Sequence, residues 1–311
     1  MSLAPSVSLS RARFNPLPLY VTLFCLLWSF AFVAGKIGVT DCPPLILLAA
    51  RFLLAGILIL AISAFRGDDS PLSRRDVAVF AILGVANNAL YLGLGYTGLK
   101  SVSAGLGGLI VSANPVFTAA LAALFLGDRL TWRKVAGLLL GIIGVGLIVW
   151  HRMSVGTDSQ HGILFTLASL ASIVTGTILF KLLAPKGSLW IGNGVQNLAG
   201  GIAVLPFAFT LADVGDIVPS ARLLGAFAFL VLGGSILAYL LWFHLLKVCG
   251  ATAASAYHFL MPPLGMLFAW MVLGEHVEFR DLLGVLPVAL GIYLVTRPAA
   301  VAGPSSERSK P

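Results

Sequence analysis

The chain has 311 residues, of which 59% are hydrophobic and 10% charged, against about 25% charged in an ordinary soluble domain. That composition excludes a soluble globular protein and makes the lipid bilayer the expected partner. The formal net charge of +8 is then explained by membrane topology, with no nucleic acid required.

In chain order, apolar runs near the roughly 20 residues that span a bilayer fall at 17–38, 44–64, 77–98, 102–126, 133–150, 162–182, 189–211, 222–246, 251–273 and 281–296. They are continuous and rich in Leu, Ala and Gly, whereas a transmembrane β-barrel shows short alternating strands. The expected fold class is an all-α membrane protein of ten transmembrane helices. Arg11 and Arg13 precede the first run as in a signal peptide, but the run is longer than a signal core and nine spans follow, so it reads as a retained helix. Cys25, Cys42 and Cys249 suggest neither a disulfide framework nor a metal cluster. With the N-terminus inside, Arg11, Arg13, Arg66, Arg74, Arg75, Arg129, Arg133, Lys134, Lys181, Lys186, Lys247, Arg297, Arg308 and Lys310 face the cytoplasm. Only Lys36, Lys100, Arg152, Arg222 and Arg280 lie opposite. The asymmetry predicts both termini in the cytoplasm of a cell with an inner membrane, with tails at 1–16 and 297–311.

The chain repeats itself. LGDRLTWRKVAGLLLGIIGVGLIV (126–149) returns as LGEHVEFRDLLGVLPVALGIYLV (273–295), an offset of 147 from Gly127 to Gly274. At that offset Leu99 falls on Leu246, Pro115 on Pro262, Arg133 on Arg280, Gly137 on Gly284 and Gly144 on Gly291; at 145, Lys36 falls on Lys181 and Arg51 on Gln196. Two halves, 17–150 and 162–296, each hold five spans. Five is odd, so the second half enters from the opposite face, and inverted five-helix repeats of this kind underlie alternating access in secondary transporters.

WSFAFVAGKIGVTDCPPLILLAARFLLAG (28–56) and NPVFTAALAALFLGDRLTWRKVAGLLLGIIGVGLIV (114–149) resemble the opening and closing portions of an EamA repeat. The resemblance extends over 17–296 and implies the drug/metabolite transporter superfamily, whose ten-helix members include exporters of amino acids and other small metabolites. The second half departs from the pattern: Gln196 stands in place of the Arg, and His276 in place of the basic residue after the acidic one.

Polar side chains deep in a span usually face the bundle interior or a cavity. Asn193, Gln196, Asn197 and Gly200 form an i, i+3, i+4, i+7 stripe on one face of the seventh span. The third span carries Asn87, Asn88 and Tyr91, the fourth Ser112 and Asn114, the eighth Ser235, Tyr239, Trp242 and His244, and the ninth Tyr257 and His258. These are candidate substrate contacts, interhelical hydrogen bonds being the alternative for each. Arg51, about 10 Å into its helix, is shallow enough to snorkel outward and is equally a candidate for holding an anionic group such as a substrate carboxylate, while Lys36 and Lys181 read as ammonium groups snorkelling to the headgroups. Pro115 and Pro262–Pro263 interrupt related helices, which points to a midplane site.

All twelve carboxylates fall in loops, tails or helix ends. Small multidrug transporters, distant relatives by the same resemblance, use a membrane-embedded glutamate that is missing here, which disfavours strongly cationic substrates. Any proton coupling falls to His244 or His258. No nucleophile with its base, metal-ligand cluster or Walker-type loop is legible, so the chain reads as a non-enzyme without cofactor or metal. The expected function is export of a small neutral or zwitterionic metabolite, most naturally an amino acid. A nucleotide-sugar or phosphate-ester exchanger is the alternative transporter, and a membrane scaffold or intramembrane enzyme the alternative outside transport.

Overall fold

The computed structural model describes residues 16–66, 72–127, 131–155 and 158–275, with positions 283, 286, 287, 289–291, 293 and 294 beyond. Apart from Pro16, the two tails lie outside the described residues, as do His276, Arg280 and half of the tenth expected span. Among the described residues there is no strand, and seven helices are long and apolar enough to cross a membrane. They are α1 (Leu17–Asp41), α2 (Pro44–Arg66), α3 (Arg74–Leu99), α4 (Ala104–Phe125), α6 (Gln160–Leu183), α7 (Leu189–Leu211) and α8 (Ala221–Ala251). α5 (Trp132–Val155) and the shorter α9 (Met261–Leu273) are helical as well. Gly250, at φ +82°, turns the chain out of α8. α2 packs along α7, α3 lies against α6 and α7, and α1 against α9.

Most of these helices have the simple cause seen in their composition: long apolar runs whose backbone polar groups must be satisfied internally in lipid. The exceptions recur in register. α3 widens to π-helix over Gly84–Leu92 and α8 over Leu230–Ala238. α4 breaks at Ser112–Ala113 before Pro115, and a 3-10 turn, Tyr257–Leu260, precedes the prolines of α9. A proline in the first turn of a helix segment forfeits no intrahelical donor, so each break is placed where its proline is tolerated. The repeated Gly of the two LGD/LGE motifs has a backbone reason: Gly127 (φ +71°) follows α4 and Gly274 (φ +66°) caps α9, and a left-handed residue is how many helices end.

The lysines differ from the headgroup-seeking role expected of them. Lys36 Nζ donates to Leu99 O (2.8 Å) and Val102 O (2.7 Å), and Lys181 Nζ donates to Leu246 O (2.8 Å). Each ammonium therefore caps carbonyls where its half's third helix ends. Around the first of these turns Asp158 accepts from Ser103 N, and Glu275 accepts from Ala104 N and Gly105 N at the start of α4. Carboxylates at a helix N-terminus gain from both the free amides and the dipole. Glu275 follows Gly274, so the motif at the end of α9 reaches across to the first half; its counterpart Asp128 lies outside the described residues.

Candidate functional site

Arg51 is 2% exposed. Its Nε donates to Ser235 Oγ (2.8 Å) on α8 and its NH1 to the Tyr96 hydroxyl (2.9 Å) on α3, with the guanidinium over the Phe52 and Tyr96 rings. No carboxylate pairs with it among the described residues. The guanidinium lines a cavity of about 40 Å³ together with Trp28, Phe32, Tyr91, Tyr96 and Tyr239. About 10–15 Å³ suffices for one water, so this conformation holds solvent-sized occupants, and a metabolite enters only when the helices part.

The amides form a second feature, a continuous hydrogen-bonded chain across α3, α7 and α8. Gln196 Nε2 donates to Asn88 Oδ1 (3.0 Å), Asn88 Nδ2 to Asn197 Oδ1 (3.2 Å) and Asn197 Nδ2 to Asn193 Oδ1 (3.0 Å). Asn193 Nδ2 then donates to Ser235 O (2.9 Å) and Ile236 O (3.4 Å). Ser235 is the junction, since its hydroxyl accepts from Arg51. A single polar path thus runs from Tyr96 through Arg51 and Ser235 to Gln196. Gln196, Asn197, Asn193 and Asn88 are each 0% exposed, and Gly200 brings the helices close enough for these bonds, its position lying against Asn88 Cβ and Gly84 O.

The π-helical segments are tied into this path. In a widened turn some carbonyls lose the regular i→i+4 donor, and neighbouring side chains supply donors instead. In α8 the Asn193 amide serves Ser235 O and Ile236 O; in α3 the Tyr239 hydroxyl serves Asn87 O (3.1 Å) and the Ser172 hydroxyl Ala86 O (3.3 Å). The same two segments place Tyr91 and Gly234 at the cavity.

Of the residues the sequence singles out, Arg51, Tyr91 and Tyr239 meet at the cavity, whereas Asn88, Asn193, Gln196 and Asn197 form the amide chain joined to Arg51 through Ser235, and Asn87 accepts from Tyr239; none of these five lines the cavity. Others lie apart. Asn114 is buried at the α4 break, where its Oδ1 accepts from Thr118 Oγ1 (2.7 Å). Trp242 and His258 belong to an aromatic cluster in which Phe24, Trp28 and Trp242 flank the imidazole at centroid distances of 5.6, 5.5 and 5.0 Å. His258 Nδ1 faces Ser255 O (3.1 Å), so the proton sits on Nδ1, and Nε2 is buried with no partner among the described residues. Tyr257 is half-buried beside Cys249, and His244 is exposed, edge-on to Tyr20. Sequence reasoning missed Trp28, Phe32 and Tyr96 as lining residues. For Tyr96 there was a signal, a phenol within an apolar span; nothing set Trp28 or Phe32 apart from ordinary core aromatics.

The model of the EamA-like transporter family matches residues 17–150 and again residues 160–297. The chain is 23% identical over 276 residues to the uncharacterized transporter YoaV of Bacillus subtilis, covering 87% of this chain and 93% of that one. It is 25% identical over 285 residues to the uncharacterized inner membrane transporter YedA of Escherichia coli, covering 90% and 91%. A crystal structure at 18% sequence identity has the same fold, with a TM-score of 0.66 over 89% of this chain and 96% of that one.

Proposed function

Because the chain belongs to the EamA-like transporter family, we propose that it is a secondary transporter exporting small metabolites that carry a carboxylate, amino acids among them, by alternating access. Its two family units form inverted five-helix repeats, ten spans in all, in a bacterial inner membrane with both termini cytoplasmic. The observation that carries this reading is Arg51: a guanidinium buried within the bundle, held by Ser235 and Tyr96, lining a cavity and lacking a carboxylate partner among the described residues. A buried charge without a counter-ion is costly, and a ligand carboxylate relieves that cost with a forked pair of hydrogen bonds. The π-helical segments and the helix breaks at related positions of the two halves support a central site at the repeat interface.

The cavity lining favours a carboxylate over the phosphate of a nucleotide-sugar or phosphate-ester exchanger, because Arg51 is the one cation among the lining residues. Transport is tested by counterflow. Purified protein in liposomes, preloaded with unlabelled amino acids and at equal pH on both faces, is expected to accumulate labelled amino acid transiently. No accumulation with any member of a broad panel, or accumulation only once a pH gradient is imposed, rejects amino-acid exchange without obligatory proton coupling; the latter directs attention to His258 and His244.

The orientation has its own test. A reporter fused after Arg297 is expected to behave as cytoplasmic, and one inserted within 151–162 as external. The reverse pattern removes the inverted arrangement together with the orientation.

A further inference from the structure

The cavity offers a charged partner for a carboxylate and, among the described residues, no anion for an ammonium group. Its polar lining is the Arg51 guanidinium and the phenols of Tyr91, Tyr96 and Tyr239. Two of the phenols are already engaged: the Tyr96 oxygen accepts from Arg51, and the Tyr239 hydroxyl donates to Asn87 O. The buried carboxylate Asp41, at the end of α1, is also occupied, accepting from Arg222 Nε (2.7 Å), Arg222 NH2 and Ser220 Oγ (2.6 Å). Among the described residues no carboxylate lines the cavity. The bare acceptor His258 Nε2 belongs to a ring packed edge-on to Trp28, and His258 does not line the cavity.

An α-amino acid on Arg51 therefore brings its ammonium within a few ångströms of a guanidinium, in a poorly screened interior and with no anion among the described residues to receive it. Like charges at that range repel strongly where the dielectric is low. A simple monocarboxylate neutralises the site without that repulsion, and the rings of Trp28 and Phe32 suit an apolar body. We infer that the site reads the carboxylate and leaves an α-ammonium unpaired, so that its preferred ligands are monocarboxylates with an apolar body and no ammonium group. This rests on the reading of Arg51 as a carboxylate site.

The test is direct binding to the full-length protein in detergent at neutral pH, by calorimetry, with matched compounds. The pairs are propionate and alanine, 4-methylvalerate and leucine, and 3-phenylpropionate and phenylalanine, with phenethylamine and 3-phenylpropanol as bodies lacking the carboxylate. In at least one pair the deaminated acid is expected to bind about tenfold or more tightly than the amino acid, and phenethylamine is expected not to compete. Amino acids binding as tightly as, or more tightly than, their deaminated partners overturn the inference while leaving the carboxylate reading intact. If phenethylamine or phenylpropanol binds as well as the acids, or no acid binds at all, the reading of Arg51 falls as well.

Discussion

Replacing Arg51 by Gln is expected to weaken binding of carboxylate ligands about ten- to hundredfold, the equivalent of the roughly 1.5–3 kcal/mol of a hydrogen bond to a charged group. The corresponding amides should lose much less, because they never drew on the charge. Arg51→Lys is expected to recover only part of the loss. An ammonium keeps the positive charge but not the planar fork that meets two carboxylate oxygens at once, and it cannot hold Ser235 and Tyr96 in the guanidinium's geometry. Arg51 also ties α2 to α8 and α3, so each variant's thermal midpoint is recorded beside its affinity. A stable Arg51→Gln protein that binds acids and amides as the parent does would remove the site from this cavity.

Gly84→Val is expected to prevent recovery of a folded, monodisperse protein, and Gly84→Ala to destabilise it by about 1–3 kcal/mol, the usual range for overpacking. A Cβ at Gly84 would lie 2.3 Å from the carbonyl oxygen of Gln196 and 3.0 Å from Ala199 Cβ. Backbone, not a flexible side-chain tip, is what it meets, so α3 and α7 must separate. That separation also strains the Gln196–Asn88 bond next to it. Gly93, one residue beyond the same π-helical segment, has open space at its Cβ position, and Gly93→Ala serves as the control with little change expected. Equal thermal midpoints for Gly84→Val and the parent would show that the α3–α7 contact is not as tight as the structure has it.

Both predictions depend on contacts between distant segments, and the same divide separates what the sequence shows from what it hides. Span positions are legible because a bilayer requires long apolar runs: the expected 44–64 and 189–211 meet α2 at Pro44–Arg66 and α7 at Leu189–Leu211. The polar stripe of the seventh span was also legible from its i, i+3, i+4 spacing. Its bonding was not, because a stripe on one helix says nothing of which amide faces it, and here Asn88 on α3 and Ser235 on α8 do. The lysines show the same limit. A lysine at a helix end reaches headgroup or carbonyl equally well by length, and the turn at Leu99 to Val102 decided in favour of the carbonyls for Lys36.

By itself, then, the sequence determined a helical membrane protein, its duplication and its family, since each follows from composition, offset and local motif along one chain. Only the tertiary structure decided that Arg51 sits buried between Ser235 and Tyr96, that two spans widen to π-helix, and that Trp28 and Phe32 help to wall the cavity. Those outcomes depend on which donors and acceptors approach one another from helices far apart in sequence. In a membrane interior, where an unmet polar group is costly, that pairing settles where each polar side chain points.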